Sequence, residues 1–263
     1  MSETIQRRSS ATAADKQDAR GLRLSQVITV LVVLVALITG SIVAVADYRL
    51  AAGELNRAVE DKLLALMEAR RVAIIDYLAS IRRDLRMQAG SPVVLEAFEE
   101  FEAGWEMLGD KAEEKLFRAF VLENPFPPTA RKRLDNPGDN SRYGVAHERF
   151  HPLLREFAEQ NGYRDLLLID NKGRVIYSVM KQQDFATGLG EETDISGGLG
   201  IAFHRIIDDP SPIAEIFVDF KTYLPAGGRP TGFIAAPLHN NKGDRLGVLV
   251  FEMPVRRINR VMN

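Results

Sequence analysis

The feature that most constrains this chain is an uncharged apolar run over residues 24–46, which reads LSQVITVLVVLVALITGSIVAVA. As an α-helix this run would extend about 34 Å, enough to cross a hydrocarbon layer of about 30 Å. Val, Ile and Leu would surround such a helix on every side, whereas a soluble surface helix needs one polar face. The run therefore predicts a transmembrane helix.

A cleaved signal peptide is the competing interpretation. Ala44, Val45 and Ala46, directly before Asp47, resemble the small residues of a cleavage site. Against cleavage, the run exceeds the apolar length of about 7–15 residues found in signal peptides, and a long polar leader precedes it. We therefore expect an uncleaved anchor and leave cleavage after Ala46 open as the alternative.

The flanking basic residues predict the orientation of the anchor. Five precede the run and three follow it closely, namely Arg7, Arg8, Lys16, Arg20 and Arg23, and then Arg49, Arg57 and Lys62. Because an excess of Lys and Arg marks the cytoplasmic side, we expect a cytoplasmic N-terminus and an exported remainder, residues 48–263. Residues 1–23, rich in Ser, Ala and charge, predict a disordered cytoplasmic tail.

Composition excludes several kinds of chemistry. The 263 residues carry a formal charge of −2, which provides no general attraction to nucleic acid. The sequence has no cysteine, so it forms no disulfide and performs no thiol chemistry. It also has no phosphate-binding loop, nucleophile elbow or kinase signature, and we expect no cofactor. The basic run Arg131-Lys132-Arg133 is interpreted as a solvated loop.

Residues 47–90 predict one long stalk helix, since this span contains no proline. Seven residues in it recur at alternating steps of three and four, which is the spacing of a heptad seam. They are Leu64, Met67, Arg71, Ile74, Leu78, Ile81 and Leu85. The stripe fits an amphipathic helix packed on its own domain, the seam of a homodimer, or both. Arg71 would be costly in a dry seam and is expected at a wet or partner-facing position.

The remainder predicts an α+β domain. Ser91 and Pro92 start a new helix after Gly90, and residues 91–160 form a helical subdomain with Pro152 as a local fault. Beyond it, five short strand patterns follow, with a helical insertion at 196–207 between the second and third. Turn sequences at 170–173 and 239–244 indicate hairpins. We therefore expect helices packed on a five-stranded antiparallel sheet over residues 161–254.

Three segments resemble the Cache domains, PAS-like sensor regions of bacterial methyl-accepting chemotaxis proteins. They are 75-IDYLASIRRDLRMQAGSPVVLEAFEEF-101, 143-YGVAHERFHPLLREFAEQNGYRDLLLIDNKGRVIYSVMKQQDF-185 and 232-GFIAAPLHNNKGDRLGVLVFEMPVRRINRVM-262. The resemblance implies a membrane-anchored sensor in the bacterial inner membrane, with residues 48–263 in the periplasm. It also implies a small-molecule ligand and a homodimer.

The resemblance also implies an intracellular output. Receptors of this kind continue into a second membrane helix and a cytoplasmic signalling domain, and residues 255–263 resemble the exit toward that helix. The downstream signalling domain is therefore an expected partner outside these 263 residues. Because related sensor regions also precede nucleotide cyclases, the sensor of a cyclase or kinase is the alternative.

The resemblance places the ligand pocket over the sheet, walled by the segment between the second and third strands, here about 181–212. The implied pocket residues are Tyr177, Asp184, Phe185, Phe203, His204, Asp219 and Tyr223. Aromatic and carboxylate groups together suit a small polar or cationic ligand. Core packing is the more common role for large aromatic residues such as Tyr177, Phe185 and Phe203, and a loop cap is the alternative for Asp184. Asp219 is the strongest single candidate, because a carboxylate between Val218 and Phe220 in a strand needs a partner.

One motif raises the possibility of an enzyme. Residues 147–151, HERFH, match the zinc-peptidase pattern H-E-x-x-H, in which His147 and His151 would hold the metal and Glu148 would activate water. Pro152 weakens the helix that would set this geometry, and no third ligand stands at a familiar spacing. We expect no metal and no catalytic residue. A zinc hydrolase and a membrane-anchored structural subunit using the 64–85 stripe stay open as alternatives.

Overall fold

The computed structural model describes residues 24–189, 197–209, 211 and 214–254. The predicted tail 1–23 and the predicted exit segment 255–263 lie outside the described residues. The chain divides into two units, residues 1–68 and 69–263, and each is described by itself.

The first unit contains the start of helix α1, which runs from Leu24 to Ala89 without interruption. The most apolar segment of this helix has a mean hydropathy of 2.8, and none of the residues in that segment is buried. Within the described part of the chain, this is the one helix whose length and composition would allow it to cross a membrane. The hydrocarbon interior of a bilayer would surround the exposed Val, Ile and Leu side chains of this segment, in agreement with the transmembrane helix predicted from the sequence.

Three further helices precede the sheet: α2 at Pro92–Leu108, α3 at Ala112–Phe117 and α4 at Arg142–Asn161. Ser91 is the N-cap of α2 with Pro92 in its first turn, but the Ser91 side chain makes no capping hydrogen bond. At α4 the Ser141 side chain accepts a hydrogen bond from the Gly144 amide at 2.9 Å. The expected fault at Pro152 does not end α4, which continues to Asn161.

The predicted five-stranded antiparallel sheet is confirmed, with strand order β2-β1-β5-β4-β3. Helix α5 at Gly197–Asp208 lies between the second and third strands in sequence, close to the predicted insertion. The strands are β1 at Asp165–Asp170, β2 at Val175–Ser178, β3 at Ile216–Tyr223, β4 at Arg229–His239 and β5 at Arg245–Pro254. The α+β fold class is therefore correct.

Both faces of the sheet are buried. One face packs against α2, α4 and the end of α1, with Leu166, Leu168 and Phe251 in its core. The other face is covered by α5, with Leu167, Phe233 and Val250 in its core. Burial on both faces explains why β1 is apolar at four consecutive positions instead of alternating.

The end of α1 belongs to the first of these cores, which alters the predicted dimer seam. Ile81 and Leu85 are fully buried in this chain's own core, so they are not free to contact a partner. Leu78 packs against the same core and Ile74 is half-buried. Leu64, Met67 and Arg71 are exposed, and a homodimer through these three positions stays a prediction.

Helix α2 approaches the sheet closely at Gly247 in β5. A methyl group added there would collide with the Ile169 carbonyl oxygen and lie 2.7 Å from two ring carbons of Phe98. The sequence needs glycine at this position because neither a backbone carbonyl nor a buried ring can move away cheaply.

We predict that Gly247→Ala destabilises the protein by about 2 kcal/mol or more, because the added methyl group overpacks the joint between α2 and the sheet. Urea unfolding of the full chain in detergent micelles would measure this. Gly188→Ala is the matched control, since a methyl group there meets nothing within 4 Å. Equal stability of the two variants would contradict the prediction.

Candidate ligand-binding site

Antiparallel pairing brings five strand ends together at one end of the sheet, called here the Asp165 end. Asp165 pairs with Glu252, and Thr231 pairs with Pro254. Strands β1 and β4 begin at this end, whereas β2, β3 and β5 finish there. Polar residues that are distant in sequence therefore meet at this end.

Asp165 organises the segment that follows β2. It is fully buried, and its Oδ1 accepts hydrogen bonds from the amides of Val179 at 2.8 Å and Met180 at 3.1 Å. Its Oδ2 accepts one from the Ser178 hydroxyl at 2.7 Å. Burial raises the pKa of Asp165, and these donors oppose the increase. The carboxyl thus ties residues 178–180 to the start of β1.

Lys181 is buried beside Asp165 in an aromatic cage. Its ammonium lies 4.3 Å from the ring centre of Tyr177, 4.9 Å from Phe185 and 5.5 Å from Phe120, and it donates to the Ser178 carbonyl. Burial lowers the pKa of Lys181 to about 7, and the nearby Asp165 carboxyl opposes the decrease. The backbone of Lys181 is left-handed, with φ 54°, which turns the chain at this point.

Two more acids complete a buried polar cluster. Glu252 accepts one hydrogen bond from the Gln182 side-chain amide at 2.9 Å and faces the Arg164 guanidinium at 3.0 Å. Asp184 accepts a hydrogen bond from the Tyr223 hydroxyl, and its Oδ1 has no partner in the part of the chain that the structure describes. Burial, followed by the nearby Asp165 carboxyl, raises the pKa of Glu252 to about 8 and that of Asp184 to about 7. Each of these acids thus favours its protonated form inside the fold.

A cavity of about 700 Å³ opens directly outside this cluster. Four of its lining side chains are cationic, namely Arg131, Lys132, Arg164 and Arg229, and none of the described lining residues is acidic. Arg164, Gln182 and Thr231 belong to both the cavity wall and the cluster. The remaining wall comes from the loop around Pro128 and Thr129, from Tyr163, and from the turn at 224–227.

The H-E-x-x-H residues hold one wall of the cavity in place. The His147 and His151 rings stack 4.2 Å apart, and both are buried. His147 Nδ1 hydrogen-bonds the Asp135 carbonyl and His151 Nε2 hydrogen-bonds the Lys132 carbonyl, each at 2.7 Å. The two histidines thereby fix the loop that carries Arg131.

This arrangement does not suit a zinc centre. A carbonyl only accepts, so His151 Nε2 must carry a proton, and His151 Nδ1 bonds the Tyr177 hydroxyl at 2.7 Å. Burial lowers the pKa of both histidines and keeps them neutral. Glu148 is exposed and accepts from Asn136 at 2.7 Å. Hydrogen bonding thus leaves no lone pair on His151 for a metal.

The sequence-predicted pocket residues do not come together. Tyr177 and Phe185 lie in the core on the helical face, whereas Phe203 and Tyr223 lie in the core under α5. The sheet separates these two pairs. Of the seven predicted residues, Asp184 and Tyr223 are in direct contact, but none lines the 700 Å³ cavity. His204 is half-buried, and its Nε2 has no partner among the described residues.

The structure places Asp219, the strongest candidate from the sequence, on the protein surface and not on the cavity wall. Asp219 is exposed and accepts a hydrogen bond from the adjacent Phe220 amide at 2.7 Å. The reason is that β3 is an edge strand whose register shifts between Val218 and Lys221. Such an irregularity turns side chains away from the alternation that a regular strand imposes.

The residues that line the cavity are not among those predicted from the sequence. The sequence predicts that Arg131 lies in a solvated loop, but it is half-buried on the cavity wall. For Arg164 and Glu252 the sequence does contain a signal of a functional role. Each is a charged residue next to an apolar strand pattern, where a charge needs a partner. Nothing local in the sequence indicates that Arg131 and Arg229 face the same cavity.

Comparisons with known proteins find similarity among solved structures. No protein-family model and no curated protein matches the sequence. The E. coli DcuS sensor domain is similar at 11% identity and TM-score 0.40, covering 74% of this chain and 98% of its own. The V. cholerae histidine kinase DctB sensor domain is similar at 16% identity and TM-score 0.36, covering 63% and 59%. The ligand-binding domain of the Pseudomonas aeruginosa amino acid chemoreceptor PctC, in complex with GABA, is similar at 12% identity and TM-score 0.29, covering 70% and 67%.

We predict that Glu252 makes stability depend on pH. The folded chain holds the Glu252 proton up to about pH 8, whereas the ordinary pKa is 4.5, so this proton stabilises the fold at low pH and is lost as the pH rises through 8. Between about pH 5 and 8, wild type should therefore lose roughly 1 kcal/mol per pH unit relative to Glu252→Gln.

Urea unfolding of the full chain in micelles across this pH range would measure the difference. Comparing variants cancels the opposing contributions of His147, His151 and Lys181. Glu123→Gln is the matched control, because Glu123 is exposed, and it should follow wild type. Parallel curves for wild type and Glu252→Gln would contradict the prediction.

Proposed function

We propose that this chain is the membrane-anchored, extracytoplasmic sensing domain of a bacterial receptor, and that it binds a small molecule in the cavity at the Asp165 end. The observation that carries the proposal is the cavity itself: about 700 Å³ with polar side chains from several separate segments facing inward. Ligand pockets have this size and combine apolar walls with a few converging polar groups. A purely structural subunit would have no need of such a space.

A hydrogen bond provides a route from the cavity to α1. Tyr163 lines the cavity, and its hydroxyl donates to the Asp84 carboxylate of α1 at 2.6 Å. Arg86, two residues after Asp84 in α1, pairs with Glu215, directly before β3, at 2.9 Å. A ligand that favours one position of Tyr163 would bias the position of α1, and a helix displacement of about 1–2 Å is a common signalling movement.

We further propose that α1 relays this change inward across the membrane and that the output is of the chemotaxis type. Support comes from the apolar N-terminal part of α1 and from the three segments that resemble methyl-accepting receptors. With a cytoplasmic N-terminus, residues 48–263 would lie in the periplasm.

We predict that Thr129→Trp blocks ligand binding. Thr129 is exposed on the cavity rim, so a large ring there would occupy the entrance without disturbing the core. The full chain in nanodiscs would be screened by thermal unfolding against neutral, cationic and anionic metabolites. We expect at least one compound to raise the melting temperature of wild type and of Val145→Trp, an exposed control outside the cavity, but not of Thr129→Trp. A screen without any stabilising compound, or equal binding by Thr129→Trp, would contradict the proposal.

A second prediction tests the relay. Asp84→Ala removes the acceptor of the Tyr163 hydroxyl while leaving the cavity lining intact. The best compound from the screen should still bind, because Asp84 does not line the cavity, but the change in amide hydrogen exchange over residues 77–89 that it causes should disappear. Arg83→Ala, at the exposed neighbouring position, should keep that change. An unchanged exchange response in Asp84→Ala would rule out this route.

A further inference from the structure

The cavity wall is positively charged, and this limits what can bind there. All four charged side chains among its described lining residues are cations, contributed by the loop after α3, the start of β1 and the start of β4. We propose that the ligand is a small organic anion held between the guanidinium groups of Arg131 and Arg229, an inference that rests on the proposed binding function of this cavity.

The ion pairs within the fold show which cations are available. Arg164 is held against the Glu252 carboxyl at 3.0 Å, and Lys132 is paired with Glu159 at 2.8 Å. Neither Arg131 nor Arg229 forms an ion pair with any residue that the structure describes. Within the described ranges, two positive charges therefore face the cavity without a carboxylate partner. A ligand with one or two negative charges would balance them.

Arg131 lacks a full set of acceptors. Its Nε is buried without a hydrogen-bond partner among the described residues, and its Nη1 reaches only the Lys181 carbonyl, at 3.4 Å. A buried donor without an acceptor is unfavourable, and a ligand oxygen would satisfy it. The histidine-fixed loop holds Arg131 in this position, so the site is prepared before the ligand arrives.

Arg229 lines the same cavity from the start of β4. Its Nε donates to the Ala226 carbonyl at 3.0 Å, which orients the guanidinium, and its side chain is otherwise exposed. A planar guanidinium binds a carboxylate or a phosphate through two parallel hydrogen bonds. Gln182, Gln183 and Thr231 add neutral hydrogen-bonding groups that suit hydroxyl or amide substituents on the ligand.

Binding of defined probes to the full chain in nanodiscs tests this inference by calorimetry. The carboxylate arm uses acetate, malonate and citrate, and the phosphate arm uses glycerol 3-phosphate and glucose 6-phosphate. Glucose, glycerol and putrescine form the arm without anions. We expect a probe from one of the two anionic arms to bind, and to bind about tenfold or more weakly in Arg131→Gln and in Arg229→Gln. Arg118→Gln removes an exposed charge outside the cavity and should bind as wild type does.

The outcomes separate this inference from the proposed function. The anion assignment would be overturned if a neutral or cationic probe bound wild type but not Thr129→Trp while no anionic probe bound. The cavity would then still be a sensor site. Anion binding unchanged in both arginine variants would also overturn it. If no probe bound, the result would count against both the anion assignment and the proposed binding function. Arg229 is exposed, so Arg229→Gln keeps the test valid even if Arg131→Gln fails to fold. Higher salt should weaken anion binding to wild type.

Discussion

Burial of both faces of the five-stranded sheet is the constraint on which the rest of this structure depends. Helices α2 and α4, with the end of α1, cover one face, and α5 covers the other. Apolar side chains fill both interfaces, so polar groups can gather only where the strands finish. The cavity lies at such a place, because the Asp165 end is where β1 and β4 begin and where β2, β3 and β5 finish.

The charges at this end are arranged in two layers. The inner layer contains the acids Asp165, Asp184 and Glu252, which are stabilised by amide and hydroxyl donors, by Arg164 and by the protons that burial retains. Because Asp165, Asp184 and Glu252 have donors within the inner layer or retain protons, none of them pairs with Arg131 or Arg229 of the outer layer. A cationic surface next to buried carboxyl groups is stable for this reason.

The two histidines of the H-E-x-x-H motif show how a motif can acquire a different role from its surroundings. Helix α4 places both rings on its buried side, stacked against each other, as the motif spacing requires. What the rings meet there are backbone carbonyls of the loop 132–135 and the Tyr177 hydroxyl. They therefore stabilise the cavity wall. The groups that face the two rings therefore decide whether these histidines are metal ligands or structural residues.

The sequence by itself determined the elements whose signals are local. The uncharged run 24–46, the break at Gly90 and Ser91-Pro92, and the turns at 170–173 and 239–244 fixed the long apolar helix, the start of α2 and the hairpins. Side-chain periodicity depends on neighbours a few residues away, so these features could be predicted. Only the tertiary structure decided that Ile81 and Leu85 are core residues, that Asp219 faces solvent on an irregular edge strand, and that Arg131, Arg164 and Arg229 line one cavity. Each of these outcomes depends on contacts between residues far apart in the chain, which no local pattern records.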